Sequence, residues 1–194
     1  MNDRAREGIN AALSLSSERL RLRSFRADDL DEFLAYHNDP EIIRYQSWEA
    51  FTRAEGEAFV REQSTAPPFA AGRWSQIAIE LAEEGALIGD CAVYVHPDDA
   101  RLIELGVTLA RSRQRRGFAR EALTCLLEHL FTERSVHRVV ANIDPRNAPS
   151  IALFERLGFT REGHLRENEW IHGEWCDTLV YACLARDWRR AGSS

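Results

Sequence analysis

A ten-residue segment, 111–120, contains five arginines and a single glycine, Gly117. It follows the strand predicted over 102–109 and precedes a helix whose apolar residues recur at helical spacing. The N–H groups at a helix start have no partner within the helix and lie at the positive end of its dipole, so they can hold a phosphate. A glycine there lets the backbone approach its ligand closely. The segment therefore predicts an anion site, although an arginine-rich loop alone more often forms a solvated surface.

A second segment, from Asn147 to Phe159, carries helix-end residues in order along the chain. Asn147 predicts the N-cap of a short helix, Pro149 fits its first turn and Gly158 fits its end. Ser150 fits either of two roles. It satisfies backbone N–H groups in the first turn, or it supplies a hydrogen bond or a proton to a leaving group.

Both segments resemble signatures of the GNAT acetyltransferase superfamily. The spacing Gln114-x-x-Gly117-x-Ala119, placed between a strand and a helix, is similar to the loop that grips the pyrophosphate of acetyl coenzyme A in that family. Asn147 and Ser150, with Leu-Gly-Phe after the helix, resemble the second signature. The segment is not a Walker loop, because the chain contains no Gly-Lys-Ser or Gly-Lys-Thr, and it lacks the three glycines of a dinucleotide-binding loop.

The loop departs from the commonest family form, because Arg115 and Arg116 stand where a glycine often occurs. The resemblance nevertheless extends from about Glu18 to Trp188. Within that range, three strings are similar to the RimJ and RimL type, the ribosomal-protein α-amino acetyltransferases and their relatives. They are Ile103-Glu104-Leu105-Gly106, Asn168-Glu169-Trp170 and Gly173-Glu174-Trp175-x-Asp177.

This resemblance implies both a fold and a reaction. The fold would be an α/β (α+β) domain, in which a mixed, mostly antiparallel sheet of about seven strands is flanked by about four helices. The reaction would be transfer of acetyl from acetyl-CoA, as co-substrate, to a primary amine that attacks the thioester directly. The acceptor would be a protein N-terminal α-amine or a small-molecule amine, and the enzyme would be a monomer or a homodimer in the cytoplasm.

The resemblance also implies which residues serve the coenzyme. The asparagine matching Asn147 contacts it, and the serine matching Ser150 lies near the thioester sulfur. The strand near Val107 to Leu109 would splay from its neighbour to admit the pantetheine arm and to offer an N–H group to the oxyanion. The implied coenzyme-binding residues are Val107, Thr108, Leu109, Gln114, Arg115, Arg116, Gly117, Phe118, Ala119, Arg120, Asn147, Ser150 and Phe154.

The attacking amine must be neutral, whereas a free amine with a pKa of about 8 to 10 is mostly charged at neutral pH. A carboxylate within hydrogen-bond reach can take its proton. Glu169, which matches the base proposed for the family, is the first candidate, and Glu104 is the second. Glu104 alternates with Gly106 and Thr108 on one face of its strand, so it could line a cleft. Either glutamate is otherwise a solvated or ion-paired strand residue.

Composition narrows the class of protein further. The 194 residues are 44% hydrophobic and 29% charged, which is typical of a globular protein with its own core. The net charge of -6 argues against nucleic acid as a partner and suits a cationic substrate. The four cysteines form no Cys-x-x-Cys pair and the six histidines have no paired spacing, so we predict reduced thiols and no metal site. No signal peptide or membrane span is predicted.

We predict one domain over 18–188, between a flexible tail at 1–17 and a C-terminal tail at 189–194. The predicted order is strand, two helices, three strands, helix, strand, helix and two strands. This order predicts a mixed sheet covered by helices.

Three alternatives stand beside acetyl transfer. The chain could transfer another acyl group such as succinyl, because the loop reads the coenzyme and not the acyl chain. It could be a CoA-binding regulatory module without turnover. RNA binding through the arginine loop is disfavoured, because the chain is acidic and the loop lacks interleaved aromatic residues. Trp170 and Asp177 are candidates for shaping the acceptor pocket, whose form the sequence does not reveal.

Overall fold

The computed structural model describes residues 13–191, in which eight strands form one sheet and six α-helices pack against it. The strands are β1 (Ser14–Ser16), β2 (Leu20–Arg23), β3 (Trp74–Leu81), β4 (Ala86–Val95), β5 (Leu102–Leu109), β6 (Arg138–Ile143), β7 (Thr160–Ile171) and β8 (Glu174–Leu184). The helices are α1 (Leu30–His37), α2 (Pro40–Ile43), α3 (Arg53–Thr65), α4 (Phe118–Thr132), α5 (Ala148–Arg156) and α6 (Ala185–Ala191).

The order of strands in the sheet is β1-β2-β3-β4-β5-β6-β8-β7. Among the strands described, β5 and β6 are the one parallel pair, and every other neighbouring pair is antiparallel. The chain reaches β6 from β5 through the crossover helix α4, as a parallel connection requires. The prediction of a mixed, mostly antiparallel sheet covered by helices is confirmed.

Helices cover both faces of the sheet, and each face has its own hydrophobic core. The larger core lies under α4 and α5, where Leu123, Leu126 and Phe154 are buried. The smaller core lies under α1 and α3, where Phe33 and Val60 are buried. The leucine spacing that predicted an amphipathic helix after the arginine segment is therefore the spacing of a core-facing stripe.

The sheet and the helices extend beyond the predicted counts at the ends of the chain. Within the predicted tail 1–17, residues 14–16 form β1, because they pair with β2 while Leu15 packs on the core; residues 1–12 lie outside the described part. Within the predicted tail 189–194, residues 189–191 continue α6, and 192–194 lie outside it. The short helix α2 was also not predicted. Asp39 accepts a hydrogen bond from the Glu41 N–H and caps α2.

A buried ion cluster joins the first strands to the start of α1. The guanidinium of Arg23 donates two hydrogen bonds of 2.7 Å to the Asp29 carboxylate and one of 2.6 Å from Nε to Glu80 Oε2. Burial raises the pKa of the Glu80 carboxyl, but the hydrogen bond and charge of Arg23 and the charges of Arg26 and Arg21 lower it more. The net pKa lies below its ordinary value. The cluster fixes α1 against the sheet.

Replacing Glu80 with Gln is expected to lower the free energy of unfolding by roughly 3 kcal/mol, because it leaves part of a buried guanidinium charge uncompensated. Denaturant unfolding measures this loss. The folded pKa of Glu80 is depressed, so its stabilisation is present at neutral pH and is lost as pH falls through the folded pKa. Glu57→Gln, in an exposed pair with Arg53, is the control and should cost less than about 1 kcal/mol. Equal losses in the two variants would contradict the prediction.

Candidate functional site

The strands β5 and β6 are paired only near their starts. The pairs are Leu102 with Arg138, Ile103 with Val139 and Glu104 with Val140. Beyond Glu104, β5 stays paired with β4 as far as Leu109, while β6 stays paired with β8 as far as Ile143. The two strands therefore separate beyond Glu104, and a wedge-shaped gap opens in the middle of the sheet.

The backbone of β5 turns polar groups into this gap. On the opposite side, the Leu102 carbonyl accepts a hydrogen bond from the His96 N–H just after β4, and the Ala110 N–H donates one to the Ile88 carbonyl in β4. Because successive residues of a strand direct their N–H and C=O groups to alternate sides, the groups of Val107 and Leu109 point towards β6. The Leu109 carbonyl accepts a hydrogen bond of 2.9 Å from Gln114 Nε2. The odd-numbered residues of β5 thus leave peptide groups along the edge of the gap.

Glu104 lies at the root of the gap, half-buried on the sheet face that carries α1 and α3. The amide of Asn142 on β6 donates a hydrogen bond of 3.0 Å to Glu104 Oε1. Burial raises the pKa of the Glu104 carboxyl, the bond from Asn142 lowers it, and the negative charge of Glu169 raises it, so the net pKa lies above its ordinary value. The pairing of β6 with β8 and of β8 with β7 places the two predicted base candidates on the same face of the sheet.

Glu169 reaches this face because of an irregularity in β7. Leu165 pairs with Thr178 and Glu169 with Cys176, so residues 166–168 lie opposite the single residue Asp177. Asp177 holds this bulge by accepting a hydrogen bond of 2.8 Å from the Glu167 N–H. Glu169 is half-buried and accepts a hydrogen bond of 3.3 Å from the Thr178 hydroxyl.

The arginine segment forms a tight loop between β5 and α4. Gly117 is the N-cap of α4 and has φ of 82°, in the left-handed region that favours glycine. Arg115, which stands where the family often has glycine, also has a positive φ of 59°. A left-handed backbone at this position explains why the family often has glycine there, and in this chain Arg115 adopts that conformation. The side chain of Phe118 is buried in the core, whereas Arg116 and Arg120 are exposed and Ala119 is half-buried.

Two of the five arginines are tied to carboxylates away from the helix start. Arg113 donates two hydrogen bonds to Glu84 in the turn between β3 and β4, at 3.0 and 2.6 Å. Arg111 lies 3.6 Å from Asp39, measured from Nη1 to Oδ1. The interpretation of all five arginines as one anion cluster is therefore too broad. These two side chains anchor the loop to the rest of the fold.

A residue that the sequence did not single out, Arg19, clamps the other side of this loop. Its Nε and its backbone N–H each donate a hydrogen bond of 2.7 Å to the carboxylate of Glu121 in α4. Its Nη1 donates to the Arg116 carbonyl at 3.2 Å, and its guanidinium carbon lies 4.5 Å from the centre of the Phe118 ring. The loop is consequently held in one conformation from both sides, which suits the binding of a fixed ligand.

The second predicted segment folds as a capped helix. The Asn147 side-chain oxygen accepts a hydrogen bond of 3.2 Å from the Ser150 N–H, as expected of an N-cap. Gly158, with φ of 83°, ends the helix. The side chain of Phe154 is only 2% exposed and stacks edge-on against Phe159, so it contributes to the core. Ser150 is half-buried at the first turn.

The structure brings several predicted residues together and separates others. Glu104 and Glu169 lie on one face of the sheet, and Val107 and Leu109 border the gap. Trp170 is 62% exposed and pairs with Trp175 on the opposite face from Glu169, so its side chain does not share that face. Asp177 contributes through the bulge, and its carboxylate also lies 2.6 Å from His164 Nε2.

Asn142 and Thr178 are polar residues of the site that the sequence analysis missed. Each hydrogen-bonds a candidate base. Asn142 interrupts the apolar run that follows Arg138 in β6, and this is the signal that could have identified it. Thr178 directly follows Asp177 in a strand of mixed polarity, so the strand pattern offered no such signal. A groove of about 860 Å³ between β1 and α4 shares Gly117 and Arg120 with the loop, but neither candidate base lines it.

Comparison with known proteins identifies the family. The model of the acetyltransferase (GNAT) domain matches residues 19–160, so this chain belongs to the GNAT acetyltransferases. The uncharacterized N-acetyltransferase p20 of Bacillus licheniformis is 31% identical over 175 residues, which are 90% of this chain and 98% of that protein. A GNAT acetyltransferase from Bacillus anthracis has a structure that superimposes with a TM-score of 0.81 at 26% identity, covering 90% of this chain and 99% of its own. The protein is therefore an acetyltransferase, of a family that uses acetyl-CoA.

Two relatives whose names state an acceptor match only part of the chain. The [ribosomal protein uS5]-alanine N-acetyltransferase of Escherichia coli is 34% identical over 84 residues, which are 43% of each chain. The spermidine N(1)-acetyltransferase of Vibrio cholerae is 32% identical over 84 residues, which are 43% of this chain and 46% of that protein. The family is thus shown over the greater part of the chain, whereas the similarity to a ribosomal-protein alanine acetyltransferase covers 43% of it.

Two further observations concern metals and membranes. Among residues 13–191, no group of three or more histidine, cysteine, aspartate or glutamate side chains is arranged to hold a metal ion. In the same part of the chain, each helix is too short or too polar to span a lipid bilayer.

Replacing Asn142 with Ala is expected to raise the pKa of Glu104 further, because it removes the hydrogen bond that lowers this pKa. Carbon-13 NMR titration of the glutamate carboxyl groups measures the change. Asn168→Ala, at an exposed position of β7, is the matched control and should leave the Glu104 titration unchanged. A Glu104 pKa that stays constant or falls in the Asn142 variant would show that this bond does not govern the carboxylate.

Proposed function

We propose that this enzyme transfers an acetyl group from acetyl-CoA to a primary amine, and that the amine is a protein N-terminal α-amine, as in the RimJ and RimL type. The observation that carries the proposal is the gap between β5 and β6, with Glu104 at its root and Glu169 on the same sheet face. The match to the uS5-alanine N-acetyltransferase of Escherichia coli supports this choice of acceptor.

The described residues fit the shape and charge of the coenzyme. An extended pantetheine arm, which carries amide groups, needs peptide partners along its length, and Val107 and Leu109 turn such groups into the gap. The pyrophosphate needs N–H donors and positive charge, which the start of the 15-residue helix α4 and the exposed Arg115 and Arg116 supply. The coenzyme would supply an acetyl group that is activated as a thioester.

The enzyme's own residues would then handle the proton of the acceptor amine. Glu169 is the first candidate base because it is half-buried and is oriented by the Thr178 hydroxyl. Glu104 is the second candidate. Because its pKa is raised, the Glu104 carboxylate is a stronger base, but the group is mostly ionised only at pH values above that pKa. Ser150, at the first turn of α5, is the candidate donor of a hydrogen bond to the leaving sulfur.

A small cationic amine is the second candidate acceptor. Two carboxylates on one face of the sheet create a negative field, which attracts a cation such as a polyamine. The partial match to the spermidine N(1)-acetyltransferase of Vibrio cholerae supports this alternative. Both acceptor classes use the same proposed base.

Replacing Gly117 with Ala is expected to weaken acetyl-CoA binding about tenfold, because a Cβ at this φ strains the loop and misplaces donors to the pyrophosphate. Calorimetric titration with acetyl-CoA measures the affinity. Gly72→Ala is the control, since Gly72 also has a positive φ, of 76°, but lies before β3. It should lower stability by a similar amount and leave the affinity unchanged. Equal affinities in the two variants would contradict the assignment of the loop.

Replacing Glu169 with Gln is expected to lower kcat/KM for acetyl transfer by roughly a hundredfold, because the amine loses its proton acceptor. Release of the CoA thiol is measured with two acceptor panels, short peptides with free N-termini and small amines that include polyamines. Acetyl and succinyl donors are compared in parallel. Glu167→Gln, in the same hairpin, is the control and should keep full activity. Glu104→Gln tests the second candidate base.

The panels separate the proposals. Turnover on peptides alone supports the N-terminal acceptor, and turnover on polyamines alone favours the second candidate. Full activity of the Glu169 variant together with a large loss in the Glu104 variant would transfer the role of base to Glu104. Binding of acetyl-CoA without turnover on either panel would favour a regulatory module or another acceptor.

A further inference from the structure

The turn between β7 and β8 brings a histidine onto the helical layer of the molecule. His172 and Gly173 form this turn with φ values of 49° and 82°, as a two-residue hairpin of the type I′ geometry requires. The turn places the imidazole of His172 against the segment that follows α2. The hairpin that carries Glu169 is therefore in contact with the layer of α1 and α2, across the sheet face of the candidate site.

Both ring nitrogens of His172 face hydrogen-bond acceptors. Nδ1 lies 3.2 Å from Oε1 of Glu49, and Nε2 lies 3.2 Å from the carbonyl oxygen of Ile43. A carboxylate and a carbonyl cannot donate a hydrogen bond. A neutral imidazole has one N–H group, so it can satisfy one of these partners at a time. The doubly protonated imidazolium satisfies both.

The charges around His172 favour the imidazolium. At the end of α2 and on the segment after it, the ring faces the Glu49 carboxylate and the backbone oxygens of Ile43 and Gln46. The guanidinium of Arg44, in the same segment, lies over the Tyr45 ring at 5.3 Å. On the hairpin itself, the neighbouring Glu174 is bound to Arg146 at 2.6 Å. The hydrogen bond to Glu49 and the contact with the Ile43 carbonyl raise the pKa of His172 above its ordinary value.

We propose that His172 is a positioning residue, whose imidazolium latches the β7–β8 hairpin to the segment after α2 and so holds Glu169 in place. The catalytic consequence rests on the proposed function, because it requires Glu169 to be the base. The latch itself depends only on the two bonds of the ring. Both bonds are present below the pKa of His172 in the folded protein, and the latch is weakened as pH rises through that pKa, since loss of one proton removes one of the two bonds.

The first test measures the latch without any substrate. Proton NMR titration of the full chain should show a His172 pKa above that of an unperturbed histidine, and Glu49→Gln should lower it. His172→Asn keeps a residue that tolerates the left-handed conformation and removes the charge. Amide hydrogen exchange at residues 169–174 should be at least about threefold faster in this variant than in the unaltered protein. His96→Asn, another exposed turn histidine beside a carboxylate, is the control and should leave the exchange unchanged.

The second test measures the consequence for the reaction. The KM for the amine acceptor in the unaltered enzyme should rise about threefold to tenfold as pH passes the measured His172 pKa. In His172→Asn the KM should be raised at every pH and show no such step, while kcat changes less. A step that persists in this variant would overturn the positioning role.

The two tests fail in different ways. An ordinary His172 pKa that does not respond to Glu49→Gln, or unchanged exchange in His172→Asn, overturns the latch even if acetyl transfer proceeds. A raised, Glu49-dependent pKa with faster exchange in His172→Asn supports the latch. If neither acceptor panel is then acetylated, the proposed function fails and the latch stands.

Discussion

The separation of β5 from β6 is the constraint on which the rest of the site depends. A continuous sheet satisfies its own peptide groups, so it offers no backbone donor or acceptor to a ligand. Here β5 and β6 part beyond Glu104, while each remains paired with its other neighbour. The gap therefore exposes peptide groups at the centre of the fold without destabilising the strands that carry them. Glu104 lies at the root of that gap, and Glu169 lies on the same face of the sheet.

Ion pairs in the surrounding structure hold the loop before α4 and the helix α1 in place. Arg19 and Glu121 hold the loop at the start of α4, and Arg113 holds its other side through Glu84. The buried cluster of Arg23, Asp29 and Glu80 fixes α1 to the sheet. Ion pairs thus fix the relative positions of elements that could slide past each other if hydrophobic contacts alone held them. At the tip of the hairpin of β7 and β8, which lies at the edge of the sheet, His172 makes a contact of the same kind with Glu49.

Much of the fold follows from local sequence signals. The capping box of Thr52 and Glu55 starts α3, and Asn147 and Gly158 delimit α5 as predicted. These elements were predictable because caps and amphipathic spacing act over a few residues. The strand β1 and helix α6 were not predictable, since they depend on the edge of a sheet or a core surface that the rest of the chain builds. Short elements of this kind have little intrinsic stability of their own.

The sequence by itself determined the family signatures, the order of most elements and the identity of the polar residues that could act as bases. Only the tertiary structure decided which of them meet. Glu167 and Glu169 are both exposed-strand glutamates by pattern, and the bulge held by Asp177 places Glu169, rather than Glu167, opposite Cys176. In the same way, pairing of distant strands brings Glu104 to Asn142, and a hairpin turn brings His172 to Glu49. The reason is physical. A local sequence pattern specifies whether a segment is a helix or a strand and which of its faces is buried. A contact between residues 38 or 123 positions apart also requires the register of the folded sheet.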